Sequence, residues 1–186
     1  VGAKVEKLIK QALETEHISV QRTGIGSDYE LEYDFIENGQ EQGLVVGKYL
    51  LEVKSTSADS VRMTLSQGNN AANPPSEYVG YILCVCPVNS DIVTEDDIKI
   101  GARFMFDISS AIKEALDSGN ALQNMESTLK GAGDHGVRLE LGQSPKRLRV
   151  SRDAWVHGID FNGAVSQLKH LAGGADTTLK SNVSLS

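Results

Sequence analysis

From residue 28 to residue 35 the chain reads DYELEYDF, an unbroken alternation of acidic and apolar residues. A period of two is the period of a β-strand, so Asp28, Glu30, Glu32 and Asp34 fall on one face and Tyr29, Leu31, Tyr33 and Phe35 on the other. A helix would scatter both sets around its axis. The turn-rich run NGQEQG follows at 38–43, and an apolar stretch returns over 44–53. Together they predict a β-hairpin whose first strand carries four carboxylates on one side.

Other segments change period around this hairpin. Val5, Leu8, Ile9, Ala12 and Leu13 recur at helical spacing and predict an amphipathic helix over 2–16. A short strand is expected over 61–64 and a brief helix over 65–73, closed by Pro74 and Pro75. YVGYILCVCPV, 78–88, reads as a buried strand. Ile108, Ala111, Ile112, Ala115 and Leu116 mark a second long helix starting after Gly101, with a connecting helix expected over 120–130. GVRLELGQSPKRLRV, 136–150, predicts another hairpin turning at 142–145, and DFNGAVSQLKHLA a last helix with Asp160 as its N-cap. Helices and strands interleave along the chain, which is the pattern of an α/β domain.

A chain of 186 residues suffices for one domain with a real core. The formal net charge of -7 and the pI near 5.1 argue against broad adhesion to nucleic acid or to anionic membranes, so any nucleic-acid contact must be local. No apolar run approaches the roughly 20 residues of a membrane span, and no signal-peptide order opens the chain, so a soluble cytoplasmic protein without membrane contact is expected. The first residue, Val1, is compatible with an excised domain or a processed chain. Cys84 and Cys86 share one face of a strand, where free buried thiols are expected. His17, His135, His157 and His170 are scattered without ligand spacing, which argues against a structural zinc site.

The returning strand ends in KYLLEVKSTS, 48–57, with a glutamate and a lysine two residues apart in an apolar run. On a strand Glu52 and Lys54 share one face, while Tyr49, Leu51 and Val53 share the other. Buried ions lose much of their hydration, and carboxylates converging across the hairpin repel one another. A divalent cation resolves both conflicts. Two carboxylates with open water positions suit Mg²⁺, which activates water and stabilises charge on a phosphoryl group. Lys54 would then stabilise charge or orient that water. Alone, a Glu-x-Lys on a strand is more often a surface ion pair.

Asp, then a hairpin return, then Glu-x-Lys on a strand resembles the PD-(D/E)xK, or restriction-endonuclease-like, nuclease superfamily over residues 2–87. GSDYELEYD, YLLEVKSTS and VRMTLSQGNNAA are most similar to the group that includes the no vein C-terminal domain and Mrr-like restriction nucleases. The resemblance implies an α/β restriction-endonuclease-like core, with a mixed central β-sheet flanked by helices. A hairpin and helix extension over 95–172 would complete a single domain, 1–172, before a disordered tail at 173–186. It implies an Mg²⁺- or Mn²⁺-dependent DNA endonuclease, the effector of a restriction or anti-phage system. Asp28 and Glu52 would be the metal carboxylates, Lys54 the catalytic lysine, and Glu6 on the first helix a support for the metal site. Gln67 falls where such nucleases carry Glu or Gln after the next strand. The implied partners are DNA, other domains or subunits of a defence complex, and a second copy in a homodimer. Ser27 stands where the pattern has Pro. The alternative is an inactive member of the fold serving as a nucleic-acid-binding or protein-interaction module, in which Glu6 is a solvated helix residue and Gln67 only a helix cap.

Glu52 follows Asp28 by 24 positions, and Asp34 competes for the same role. Pairing Asp28 with Glu52 centres the turn on Gln40 and keeps 44–53 as one strand. Pairing Asp34 with Glu52 centres it on Gly43 and leaves Leu44, Val45 and Val46 in the loop, a poorer place for apolar β-formers. The acidic balance has one local exception. Arg138, Lys146, Arg147, Arg149 and Arg152 lie within 15 residues that contain a single acid, Glu140. Arg147 and Arg149 share a face of the second hairpin, so this patch is either a phosphate-contacting edge or a solvated strand face. Trp155 is expected to anchor the last helix by packing.

Overall fold

The computed structural model describes residues 1–24, 27–37, 40–89, 93–124, 137–140 and 147–169. In chain order the elements are α1 (Gly2–Thr15), β1 (Ile18–Arg22), β2 (Tyr29–Glu37), β3 (Gln40–Thr56), β4 (Ser60–Thr64) and α2 (Leu65–Ala72). They continue as β5 (Tyr78–Pro87), α3 (Glu95–Gly101), β6 (Arg103–Met105), α4 (Ile108–Asn124), β7 (Val137–Glu140), β8 (Arg147–Ser151) and α5 (Arg152–Trp155). A final helix, α6, covers 161–169 and is capped by Asp160, whose Oδ1 accepts from the Gly163 amide at 2.8 Å.

The alternating segment forms β2 and pairs antiparallel with β3, Tyr29 opposite Leu51 and Leu31 opposite Tyr49. One further step of this register sets Asp28 opposite Glu52. Two register shifts, on either side of Asp34, then draw the strands together so that Glu37 meets Gln40. Gln40, Glu41, Gln42 and Gly43, expected in the turn, therefore belong to β3. In the sequence two residues, 38 and 39, lie between these paired ends, and they fall outside the described residues. Bulges absorb the surplus residues that a symmetric turn would have needed.

β3 is the centre of a five-stranded sheet of order β1-β2-β3-β5-β6. β5 runs parallel to β3 and the other pairings are antiparallel, so the sheet is mixed. The parallel crossover from β3 to β5 passes through β4 and α2. Leu50 and Leu51 are adjacent yet both fully buried, because β3 is covered on both faces. One face packs Leu51 and Val53 against Val5, Ile9 and Leu13 of α1, Ile98 of α3 and Phe161 of α6. The other packs Leu50, Tyr81 and Leu83 against Ala71 of α2, Ile112 of α4 and a second sheet of order β4-β8-β7. This is the mixed α/β core flanked by helices that the resemblance implied.

Four short elements were not anticipated. β1 has only Ile18 and Val20 facing the core, α3 buries only Ile98, β6 is three residues long, and α5 is four residues long and buries only Trp155. α4 extends through Asn124, so the first five residues of the expected connecting helix are its last turn; the remainder, the 142–145 turn and the 173–186 tail lie outside the described residues. Cys84 and Cys86 are buried free thiols, with sulfurs 3.9 Å apart. Among the described residues no helix is long and apolar enough to cross a membrane.

The contact between α2 and the second sheet is close. A Cβ on Gly68 would lie 2.0 Å from Cδ1 of Leu148, a side chain with no exposed surface. Gly68→Ala is expected to lower stability by about 1–3 kcal/mol through overpacking, measured by urea unfolding. An unchanged midpoint would mean that Leu148 can repack freely.

Candidate active site

The site forms where the β2–β3 hairpin, the β4–α2 crossover and β5 meet. Glu52 has no exposed surface, although it is a carboxylate on the central strand. Its Oε1 lies 2.5 Å from the Lys54 ammonium and accepts from Gln67 Nε2 at 2.5 Å. Its Oε2 is buried with no hydrogen-bond partner among the described residues. A buried carboxylate oxygen left unpaired is costly, and it marks where a cation or water would bind. Burial pushes the Glu52 carboxyl up to about 7 against the pull of Lys54, and the charges of Asp28 and Glu6 raise it further.

Asp28 reaches the same place from the start of β2. Its Oδ2 accepts from the Val53 amide at 2.8 Å, the residue between Glu52 and Lys54. That bond fixes the carboxylate beside the Glu-x-Lys segment. Glu30, next on the same face, is already satisfied: its oxygens lie 3.5 Å from Lys48 Nζ and 2.9 Å from the Tyr78 hydroxyl. Asp34 stands opposite Val45, seven residues before Glu52, or about 23 Å along the strand.

Gln67 performs two tasks with one side chain. Its Oε1 accepts from the Thr64 amide at 2.8 Å while its own amide donates to Thr64 Oγ1 at 3.2 Å, a reciprocal cap on α2. With the carbonyl side held in the cap, the NH₂ side is left to donate to Glu52. Glu6 stands apart, 3.7 Å from Arg22 Nη2, yet close enough that burial and then the Asp28 charge raise its carboxyl, while Arg22 and Lys54 lower it. Two groups escaped the sequence reading. Tyr81 on β5 has a buried hydroxyl with no partner among the described residues, and its phenol is pushed up by burial and then by Glu52 and Asp28. Arg22 lies over the Tyr29 ring at 5.6 Å. A hydroxyl inside the apolar run YILCVC is the only sequence signal that Tyr81 offered.

Four of the five basic residues sit on or beside the second sheet. Arg149 and Arg152 are exposed and Arg147 is half-buried; Arg152 lies 3.6 Å from Asp59. Arg138 stands opposite Arg149 on β7, and Lys146 lies outside the described residues.

Among the described residues no group of three or more His, Cys, Asp or Glu could hold a metal ion. Asp28 and Glu52 nevertheless fit Mg²⁺ or Mn²⁺, because Mg²⁺ is commonly held by one or two carboxylates and keeps several waters. The unpartnered Oε2 of Glu52 supplies one ligand direction. No protein-family model matches the chain, and no curated protein matches it. Among solved structures, Hjc, a Holliday junction resolvase from the archaeal hyperthermophile Archaeoglobus fulgidus, is similar, with a TM-score of 0.48 and 10% identity over 89% of this chain and 95% of that chain.

Burial of Glu52 sets the sign of a pH dependence. Its carboxyl ionises near 4.5 when unfolded and at about 7 in the metal-free fold, so the native state holds the extra proton between those values. The stability this contributes is complete below the unfolded value and is lost as pH rises through the folded one. In EDTA, the wild type is expected to lose roughly 1–3 kcal/mol more stability than Glu52→Gln between about pH 5 and pH 8. Parallel urea unfolding curves for the two proteins would contradict this.

Proposed function

We propose that the chain is a divalent-metal-dependent DNA endonuclease domain that hydrolyses phosphodiester bonds at Asp28, Glu52 and Lys54. The observation that carries this reading is the solvent-excluded Glu52, its Oε2 unpartnered, set beside a second carboxylate and a lysine. A purely structural ion pair has no need of Asp28 fixed against the same three-residue segment, nor of an orphaned oxygen.

Asp28 and Glu52 would hold the cation. When bound, it supplies Lewis-acid polarisation of the phosphoryl group and lowers the pKa of water. Lys54, a quarter exposed, places its ammonium where negative charge accumulates on the phosphoryl oxygens in the transition state. Gln67 positions Glu52, holding Oε1 so that Oε2 faces away from the lysine and the amide. Glu6 and Arg22 border the site and adjust the charge around Asp28.

Plasmid cleavage with Mg²⁺ or Mn²⁺, and its loss in EDTA, is the direct test. Asp28→Asn is expected to abolish cleavage and Asp34→Asn to leave most of it, since Asp34 stands seven residues up the hairpin from Glu52. Lys54→Ala should slow cleavage by about 100-fold or more. Cleavage unaffected by Asp28→Asn would exclude this site, and a wild type inert with every divalent cation would favour the binding-module alternative.

A further inference from the structure

Tyr81 fills a place in the core that a phenylalanine would fill as well. Its side chain has no exposed surface and belongs to the apolar cluster that contains Leu50, Leu83, Ala71 and Ile112. Yet it carries a hydroxyl that is buried with no hydrogen-bond partner among the described residues. Burying a hydroxyl without a partner is costly, so packing alone does not account for a tyrosine here. Glu52 Oε2 is in the same condition.

The sheet brings these two groups to one place. β3 and β5 are parallel neighbours in which Leu50 pairs with Tyr81 and Glu52 with Leu83. Residues 50, 52, 81 and 83 therefore share the face that packs against α2, α4 and the second sheet, with Glu52 and Tyr81 as diagonal neighbours on it. Strands about 4.8 Å apart and a step of two residues put their Cα atoms about 8 Å from each other, a gap that the two side chains can close. Lys54 stands on the opposite side of Glu52 along β3, and Lys54 and Gln67 both engage Oε1. Burial raises the Tyr81 phenol first, and the Glu52 and Asp28 charges raise it further, so the hydroxyl lies within electrostatic reach of both carboxylates.

We infer that Tyr81 is a positioning residue of the cation site: its hydroxyl and Glu52 Oε2 hold one buried water between them, which fixes the carboxylate as a ligand. This rests on the divalent-cation reading and adds to it a group from β5. The two oxygens do not bond each other directly, and a water can donate to the carboxylate while accepting from the phenol. A carboxylate oxygen has more than one lone pair, so Oε2 can accept from this water and still face a cation. Carboxylate ligands of metal ions are commonly held by such outer hydrogen bonds, and losing one weakens metal binding. Tyr81 acts only through Glu52, unlike Asp28, Glu52 and Lys54, which meet the cation or the phosphoryl group.

The test is Mn²⁺ binding by calorimetry at mildly alkaline pH, with plasmid cleavage across a Mn²⁺ series. Tyr81→Phe removes only the hydroxyl and is expected to weaken Mn²⁺ binding roughly tenfold. Its cleavage should fall at low Mn²⁺ and regain most of the wild-type rate once Mn²⁺ saturates, which a general loosening of the core would not produce. Ile112→Val trims the same cluster without touching a polar atom and should bind Mn²⁺ as the wild type does. Melting curves in EDTA should show both variants folded. Wild-type affinity in Tyr81→Phe, or an equal loss in Ile112→Val, overturns this inference and leaves the cation site standing. A Tyr81→Phe that does not fold gives the hydroxyl a structural role and overturns it as well. A wild type that binds no Mn²⁺ overturns both readings.

Discussion

A carboxylate without solvent contact, on a strand sealed on both faces, is the constraint around which the site is arranged. Glu52 sits on β3 between layers that bury Leu50 and Leu51 completely. Ionising it there requires compensation, and Lys54 and Gln67 reach only one of its two oxygens. The elements nearby divide the work of holding this arrangement. The hairpin brings Asp28 to the Val53 amide, the crossover helix brings Gln67, and β5 brings the Tyr81 hydroxyl.

These contacts also explain why a site can be rigid without a dense network. Asp28 is tied to backbone rather than to a side chain, so its position follows from the hairpin register itself. Gln67 is fixed by the reciprocal cap with Thr64, so the direction of its NH₂ group follows from how α2 begins. Secondary structure thus positions both groups before any ligand arrives, which is the preorganisation that electrostatic catalysis requires.

Much of this was legible in the residues because it rests on short-range periodicity. DYELEYDF can only be a strand with an acidic face, and apolar β-formers at 44–46 favour the register that sets Asp28 toward Glu52. The hairpin tip was misjudged because bulges leave no compositional mark, so the turn-like Gln40–Gly43 segment gave no sign that it would pair. β1, α3, β6 and α5 were too short for periodicity to register. The readings of Gln67 as site residue and as helix cap looked exclusive, since a sequence does not reveal that the two ends of an amide can serve different partners. That Arg62 stands opposite Arg149 was hidden because β4 and β8 are remote in sequence, and only strand pairing brings them together.

The central claim is that Glu52 and Asp28 form a cation site, and the most direct measurement is Mn²⁺ binding by calorimetry at mildly alkaline pH, with thermal unfolding alongside. Wild type should bind Mn²⁺ and melt higher as the cation is added, because a ligand of the native state alone stabilises it by mass action. Glu52→Gln and Asp28→Asn should lose both responses, while Lys54→Ala, which removes no ligand, should keep them. Equal Mn²⁺ binding by wild type and Glu52→Gln, or none by wild type, would contradict the account and leave Glu52 and Lys54 as a buried structural ion pair.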